Sequence, residues 1–348
     1  MRASSSSWGI AAIFVPMVLT SAAATAQPHS TSPRPEAGRT LEGSGQAYPA
    51  KPIRFIVASA PGGSADFIAR TFTQKITESW RQQAIVDNRP GGTGTIGVQL
   101  AAKAAPDGYT VLLAAASTFA TAPSLTPRLP YDPVKDFSPV TLVVISPNML
   151  TAHPSVPAQS LSDLIQLAKA KPGQITFASP GVGSLSHMAG ELLMRAAGIK
   201  MLHVPYKGGG LAVSDLVGGQ VQLLFGSIST SVPLVRTGKL RALVVTSSKR
   251  ASAVPDVPTV AESGYPGYEA VQWFGIAVPA GTPRPLIDKL RQEFVRILPL
   301  DDVKAALARQ GFEGVGSTPE EFGAYIKAEL AKWSKLFREL GLQIEQIR

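Results

Sequence analysis

The chain has 348 residues and a formal charge of +9; 45% of it is hydrophobic and only 16% charged, with 32 Gly, 29 Pro and no Cys. This much apolar material with so little charge excludes a disordered protein, and the length suits two domains of about 150 residues, each able to bury a core. A chain without cysteine has no disulfides, thiolate zinc sites, iron–sulfur clusters or thiol nucleophiles.

The N-terminus reads as a targeting segment. Met1–Ser7 is polar with one cation, Arg2, and Gly9–Thr20 is an apolar run too short to span a bilayer comfortably. Ala24-Thr25-Ala26 then gives an A-x-A cleavage pattern, so residues 1–26 are expected to be a secretory signal peptide. Pro16 and the small residues disfavour the rival, an uncleaved anchor. Residues 27–47, rich in Ser, Pro, Gly and Thr, read as a flexible leader. No later run approaches the roughly 18 apolar residues of a membrane helix. Export without disulfides fits a bacterial periplasm or cell exterior, and the periplasm is expected.

From there strands alternate with helices. Ile53–Ser59 reads as a strand ending at Ala60-Pro61-Gly62-Gly63, and the helix after it puts Phe67, Ile68, Phe72 and Ile76 on one face with Asp66 off it. Ala84–Val86 and Thr110–Ala115 read as strands flanking a small-residue helix, Ile96–Ala104. This βαβαβ order is the signature of a mostly parallel sheet covered on both faces. The rhythm restarts after Pro147, with a capped helix at Leu161–Ala170, strand Ile175–Ser179 and helix Leu185–Ala197. Strand Met201–Val204, helix Ala212–Val217 and strands Val221–Phe225 and Leu240–Thr246 follow. Trp273–Val278 is apolar again. Thr318-Pro319-Glu320-Glu321 is a capping box opening a long helix with Phe322, Tyr325, Ile326, Leu330, Trp333 and Leu336 at helical spacing. The expected architecture is α/β with two lobes, 48–149 plus 274–348 and 150–273, and a cleft between them.

Two strand-to-helix turns stand out as anion sites. The first is Ser59 through Asp66, with Gly62, Gly63, Ser64 and Ala65; the second runs from Ser179 through Gly183, Ser184 and Ser186 to His187. The first turn of a helix carries unpaired N–H groups and partial positive charge, and glycine lets an anion approach the backbone. In open α/β sheets, ligands lie outside the carboxyl ends of the strands. Asp66 either stabilises its helix dipole or accepts from a ligand amino or hydroxyl group. His187 either donates to an anion or packs structurally.

Other chemistries find less support. Gly92-Thr93-Gly94-Thr95-Ile96-Gly97 matches G-x-G-x-x-G, but Pro90 interrupts its approach and no acid follows about twenty residues on, so a dinucleotide is not expected. There is no G-x-S-x-G elbow and no H-E-x-x-H cluster, and His29, His153, His187 and His203 are scattered. A secreted serine esterase or amidase built on Ser184 and His187 remains the enzyme alternative; neither a cofactor nor a metal is expected. The basic residues form no stripe with interleaved aromatics, so no nucleic-acid partner is expected.

Several segments together resemble the Bug (TctC-type) family of extracytoplasmic solute receptors, the binding components of tripartite tricarboxylate transporters. They are Tyr48-Pro49-Ala50-Lys51-Pro52-Ile53, Ala60-Pro61-Gly62-Gly63 with Asp66, and Asn88-Arg89-Pro90-Gly91-Gly92 running to Gly97. Pro106-Asp107-Gly108-Tyr109-Thr110, Tyr131-Asp132-Pro133 running to Phe137, Val204-Pro205-Tyr206-Lys207-Gly208, Gly218-Gly219-Gln220-Val221 and Gly238-Lys239-Leu240 running to Leu243 complete the match. The resemblance implies a Venus-flytrap (type II) periplasmic-binding-protein fold, monomeric, closing on a small organic acid for delivery to membrane transporter subunits or a sensor. It implies that the two Gly-rich turns hold the ligand carboxylate with neutral donors, and that Ser117, Tyr206, Ser227 and Trp273 line the cleft. Ser59, Leu211 and Gly226 depart from the family's usual residues and are expected to reshape the pocket.

Overall fold

The computed structural model describes residues 48–341, apart from residues 127, 207 and 208 and the side chain of Thr93. The expected signal peptide and leader, with His29, lie outside the described residues, as do Lys207 and Gly208 of the family motif.

Ten strands join in one mixed sheet: β1 (Ile53–Val57), β2 (Ala84–Asn88), β3 (Thr110–Ala115), β4 (Phe137–Ala152), β5 (Thr176–Ser179), β6 (Leu202–Pro205), β7 (Leu223–Ser227), β8 (Arg241–Val245), β9 (Val271–Pro279) and β10 (Glu313–Gly314). The path runs β2-β1-β3-β9-β4-β7-β5-β6, with β8 and β10 also paired to β4. Strand β4 has 16 residues and changes partners midway. Through Pro147, opposite Val271, it pairs with β9; from Asn148, opposite Ser227, it pairs with β7 and then β8. Proline has no N–H to give a ladder, so Pro147 suits the changeover.

The two half-sheets are built alike. One reads β2-β1-β3-β9-β4 and the other β6-β5-β7-β4-β8, and in each the fourth strand alone runs antiparallel to its neighbours. Strands β1 and β3 run parallel to β4, whereas β5 and β7 run against it. The carboxyl ends of both parallel sets therefore point toward the stretch where β4 changes partners. The strand pairing alone aims the two Gly-rich turns at one region.

Helices cover the sheet. They are α1 (Ser64–Trp80), α2 (Thr95–Ala102), α3 (Ala122–Leu125), α4 (Leu161–Ala170), α5 (Leu185–Ala197), α6 (Gly209–Val217), α7 (Ile228–Arg236), α8 (Arg284–Ile297), α9 (Asp301–Arg309) and α10 (Pro319–Leu340). Phe72 of α1 meets Phe294 of α8 edge to face, with ring centroids 5.3 Å apart, over Phe55 of β1. On α10, Phe322, Trp333 and Phe337 are buried, and Phe322 meets Trp273 of β9 with centroids 5.7 Å apart. Helix α10 also touches both half-sheets' helices: Ser334 hydrogen-bonds Ser124 of α3 at 2.7 Å, and Glu339 pairs with Arg195 of α5 at 2.6 Å. Both expected capping boxes form, at Ser160/Asp163 and Thr318/Glu321. Strands β4 and β10 and helices α3, α7 and α9 are not among the elements expected from the sequence. Among the described residues no helix is long and apolar enough to cross a membrane.

Candidate ligand-binding site

The first turn is pinned by a carboxylate. Asp66 is 5% exposed, on the buried face of α1 rather than off it as the sequence pattern suggested. Its Oδ2 accepts from the Gly62 N–H at 3.0 Å and from Arg70 Nε at 2.9 Å, while Oδ1 is buried without a partner. The hydrogen bond from Arg70 outweighs burial and holds this carboxyl below the usual carboxylate range. Gly62 has φ +85°, a conformation that disfavours a side chain. Asp66 thus folds the turn back onto its helix. No side chain caps α1 at Gly63, which leaves the first N–H groups of the helix for an outside acceptor.

A cavity of about 580 Å³ opens at this helix start. Its walls include Ser59, Gly63, Ser64, Ala65, Ser117, Thr118 and Gln272, with apolar surface from Ala58, Pro61, Pro90, Leu113 and Phe274. Ser64 and Ser117 are exposed, whereas the Ser59 hydroxyl is buried and unpartnered. Gly91 and Gly94 also line it. The glycines of the G-x-G-x-x-G run therefore have a packing role. A Cβ on Gly97 would lie 2.8 Å from both Ala58 Cα and Arg89 O, and one on Gly94 would lie 2.7 Å from Thr118 Cγ2. They let α2 press against β1 beside the cavity.

A smaller cavity, about 160 Å³, is walled by Gly183, Ser184, Leu185 and Met188 from the second turn and by Trp333 of α10. Ser117 and Gln272 line both cavities, so the spaces outside the two turns adjoin. Among the residues lining either cavity there is no charged side chain.

The second turn is tied differently. Ser184 caps α5, accepting from the His187 N–H at 3.3 Å, and its hydroxyl donates to Gly181 O at 2.7 Å. Ser186 and His187 are buried, and His187 Nδ1 accepts from the Gly183 N–H at 3.1 Å. Ser179 is fully buried, 2.7 Å from His203 Nε2. Burial first, and the neighbouring His187 second, push the His203 pKa from 6.5 down to about 4. His187 is thus turned into its own loop rather than toward an open space.

Of the residues that the family resemblance places in the cleft, Ser117 lines both cavities, Trp273 belongs to the core, and Tyr206 and Ser227 make bonds of their own. Trp273 is 0% exposed and donates from Nε1 to Glu329 at 3.1 Å; it is a core residue because alternation along β9 sends it opposite to Gln272 and Phe274, which do line the large cavity. Tyr206 donates to Asp215 at 2.7 Å, and burial together with that carboxylate pushes its pKa up to about 12. Ser227 precedes α7, with its Oγ 2.9 Å from Thr230 Oγ1. Neither Tyr206 nor Ser227 is among the walls of the two cavities. Gln272, which the sequence does not single out, lies opposite Ser146 near the end of the β4 pairing with β9.

The sequence matches the family described as tripartite tricarboxylate transporter family receptor, TctC, over residues 68–342. The chain belongs to the TctC family. Protein BugT of Bordetella pertussis is 38% identical, over 89% of this chain and 95% of that protein. Two solved structures are similar: R. palustris Rpa4515 with adipate, at 32% identity and TM-score 0.67, and the periplasmic binding protein BugD, at 35% identity and TM-score 0.63. Each match covers 85% of this chain and 99% of the other. The fold is accordingly the two-lobed α/β architecture of periplasmic solute-binding proteins, and the chain is a TctC-type solute-binding protein.

Proposed function

We propose that the protein captures a small organic carboxylate between two lobes meeting at the β4 and β9 crossings, and delivers it in the periplasm to membrane subunits of a tripartite tricarboxylate-type transporter or to a sensor. On this reading the lobes are 48–149 with 274–348, and 150–273; the change of β4 from β9 to β7 after Pro147 supports a boundary near there. The observation that carries this reading is the pair of adjoining cavities outside the α1 and α5 turns, free of charged side chains among the described residues and joined through Ser117 and Gln272. A carboxylate leaving water loses several hydrogen bonds, and uncapped helix N–H groups, serine hydroxyls and the Gln272 amide can replace them together. The adipate of Rpa4515 supports a dicarboxylate-sized ligand. Closing around the ligand draws its energy from contacts made only in the closed state. The receptor acts as a monomer and as a binding protein.

The serine-hydrolase alternative requires a hydroxyl, a base and an orienting acid facing the ligand. Ser184 spends its proton on Gly181 O, and His187 Nδ1 faces the Gly183 N–H. Failure of a serine-directed phosphonate to label the protein is expected.

The test is a thermal-shift panel of di- and tricarboxylates, acidic amino acids and aromatic acids, followed by calorimetry. At least one acid should raise the melting temperature, since binding to the native state stabilises it. Ser117→Trp should abolish that binding, with its melting temperature without ligand within 3 °C of the parent. Unchanged affinity in Ser117→Trp would refute the site.

A further inference from the structure

Beneath the second turn lies a cluster that the carboxylate reading does not use. The rings of His187, on α5, and His203, on β6, stack with centroids 3.9 Å apart and an interplanar angle of 16°. Phe177 of β5 stacks on His203 at 4.9 Å. Both rings are wired to the Pro180–Gly183 turn. His187 Nδ1 takes the Gly183 N–H. His203 Nε2 meets Ser179 Oγ, which in turn accepts from the Gly181 N–H at 3.1 Å and lies 2.9 Å from Gly181 O.

These bonds assign the protons. An Nδ1 that accepts must carry no hydrogen, so the His187 proton sits on Nε2, which faces Glu191 Oε1 at 3.4 Å. A second proton on His187 would have to enter at Nδ1, where it collides with the Gly183 N–H. A charge on either ring also repels a charge on the other at stacking distance. Among the described residues, the titratable groups facing the pair are each other and Glu191; Phe177 and the turn contribute no charge. One carboxylate therefore serves two rings.

We infer that His187 and His203 are a positioning pair, neutral in the binding-competent protein, whose protonation releases Gly183 and reshapes the lobe-2 wall of the cleft. Gly183 and Ser184 line the small cavity, so the pair acts one hydrogen bond away from the ligand without touching it. The inference gives the receptor an acid-sensitive grip located in one turn. Its link to capture rests on the carboxylate reading; its effect on the turn does not.

The test uses NMR on the full chain, with isotope-labelled histidine and backbone amides followed from pH 7.5 to 4.5. The His187 ring should carry its proton on Nε2 at pH 7.5, and the Gly183 amide resonance should move on acidification. In His187→Asn, whose side-chain oxygen falls where Nδ1 was and does not titrate, the Gly183 resonance should stay fixed. In His187→Leu, Gly183 amide exchange at pH 7.5 should accelerate at least tenfold. A Gly183 resonance that stays fixed in the parent, or moves equally in His187→Asn, overturns the inference whatever ligand the protein takes. For an acid that binds in the thermal-shift panel, affinity should fall at least tenfold more in the parent than in His187→Asn over the same pH range. Equal losses overturn the link to binding and leave the carboxylate reading intact.

Discussion

Glu329 is the group whose removal should be felt most. It is 3% exposed on α10, and its Oε2 accepts two indole N–H groups, from Trp273 at 3.1 Å and Trp333 at 2.9 Å. Its Oε1 pairs with Lys332, whose ammonium also donates to Glu269 O at 2.9 Å and lies 4.6 Å from the Trp333 ring centroid. Glu329→Leu keeps the volume and leaves two buried donors unsatisfied. Each orphaned donor costs about 1–3 kcal/mol, so the pair costs about 2–6; Lys332 is exposed enough to find water and adds little. Taking about 4 kcal/mol, and about 2.1 cal/mol/K of unfolding entropy per residue over roughly 300 residues, the melting temperature should fall by about 6–7 °C. Glu329→Gln retains an acceptor for the indoles and should lose less than half of that. Calorimetry with tryptophan fluorescence reads both variants. A Glu329→Leu melt within 2 °C of the parent would refute the reasoning, because it would mean the indoles find other acceptors.

Three further outcomes are expected. Gly97→Ala should cost about 1–3 kcal/mol through overpacking, since its new Cβ meets backbone atoms of Ala58 and Arg89 at 2.8 Å; denaturant melts check the cost, and titration should show weakened ligand binding as α2 lifts from the cavity wall. Tyr206→Phe should lose about 1 kcal/mol with the Asp215 bond and leave ligand affinity within twofold, because that hydroxyl is spent within its own half-sheet. Stability should fall on acidification between pH 6.5 and about 4: the folded protein holds His203 neutral while the unfolded chain takes up a proton, so the contribution is present above 6.5 and gone below 4. Partial exposure of that ring limits the loss to about 1–2 kcal/mol, and His203→Gln should flatten that part of the pH–stability profile.

Local signals carried far in this chain. Helices α4 and α5 occupy the residues expected of them, and Ser160, Ser184 and Gly198 satisfy their orphan end groups within a few residues. What failed was nonlocal. Strand β4 was illegible because a 16-residue strand interrupted by Pro139 and Pro147 only makes sense once one half pairs with β9 and the other with β7. The inward or outward sense of β9 decides between Trp273 and Gln272, and no pattern in a strand buried on both faces records it. Asp66 was misplaced because a carboxylate on an apolar face looks wrong until its partners, Gly62 and Arg70, are seen. The direction of His187 on α5 is illegible locally because the ring stacked on it, His203, lies sixteen residues away on β6.

The contrast between the chain's charge and its cleft bears on how such a receptor works. The chain carries a formal +9, yet among the described residues neither cavity has a charged wall. A lysine 4 Å from a carboxylate would contribute about 4 kcal/mol at an effective dielectric of 20, close to a thousandfold in affinity. A helix terminus contributes about 0.3–1 kcal/mol, and a hydrogen bond to a charged group about 1.5–3. Two turns with a few hydroxyls and an amide therefore hold an anion firmly only when all reach it together. On the proposed reading, half of such a grip lies on each side of the β4 crossing, so opening by a few ångströms abandons most of it. A fixed cation would keep its attraction over that distance, and the ligand would be slow to leave. Neutral donors make retention depend on closure, which is the property a delivering receptor needs.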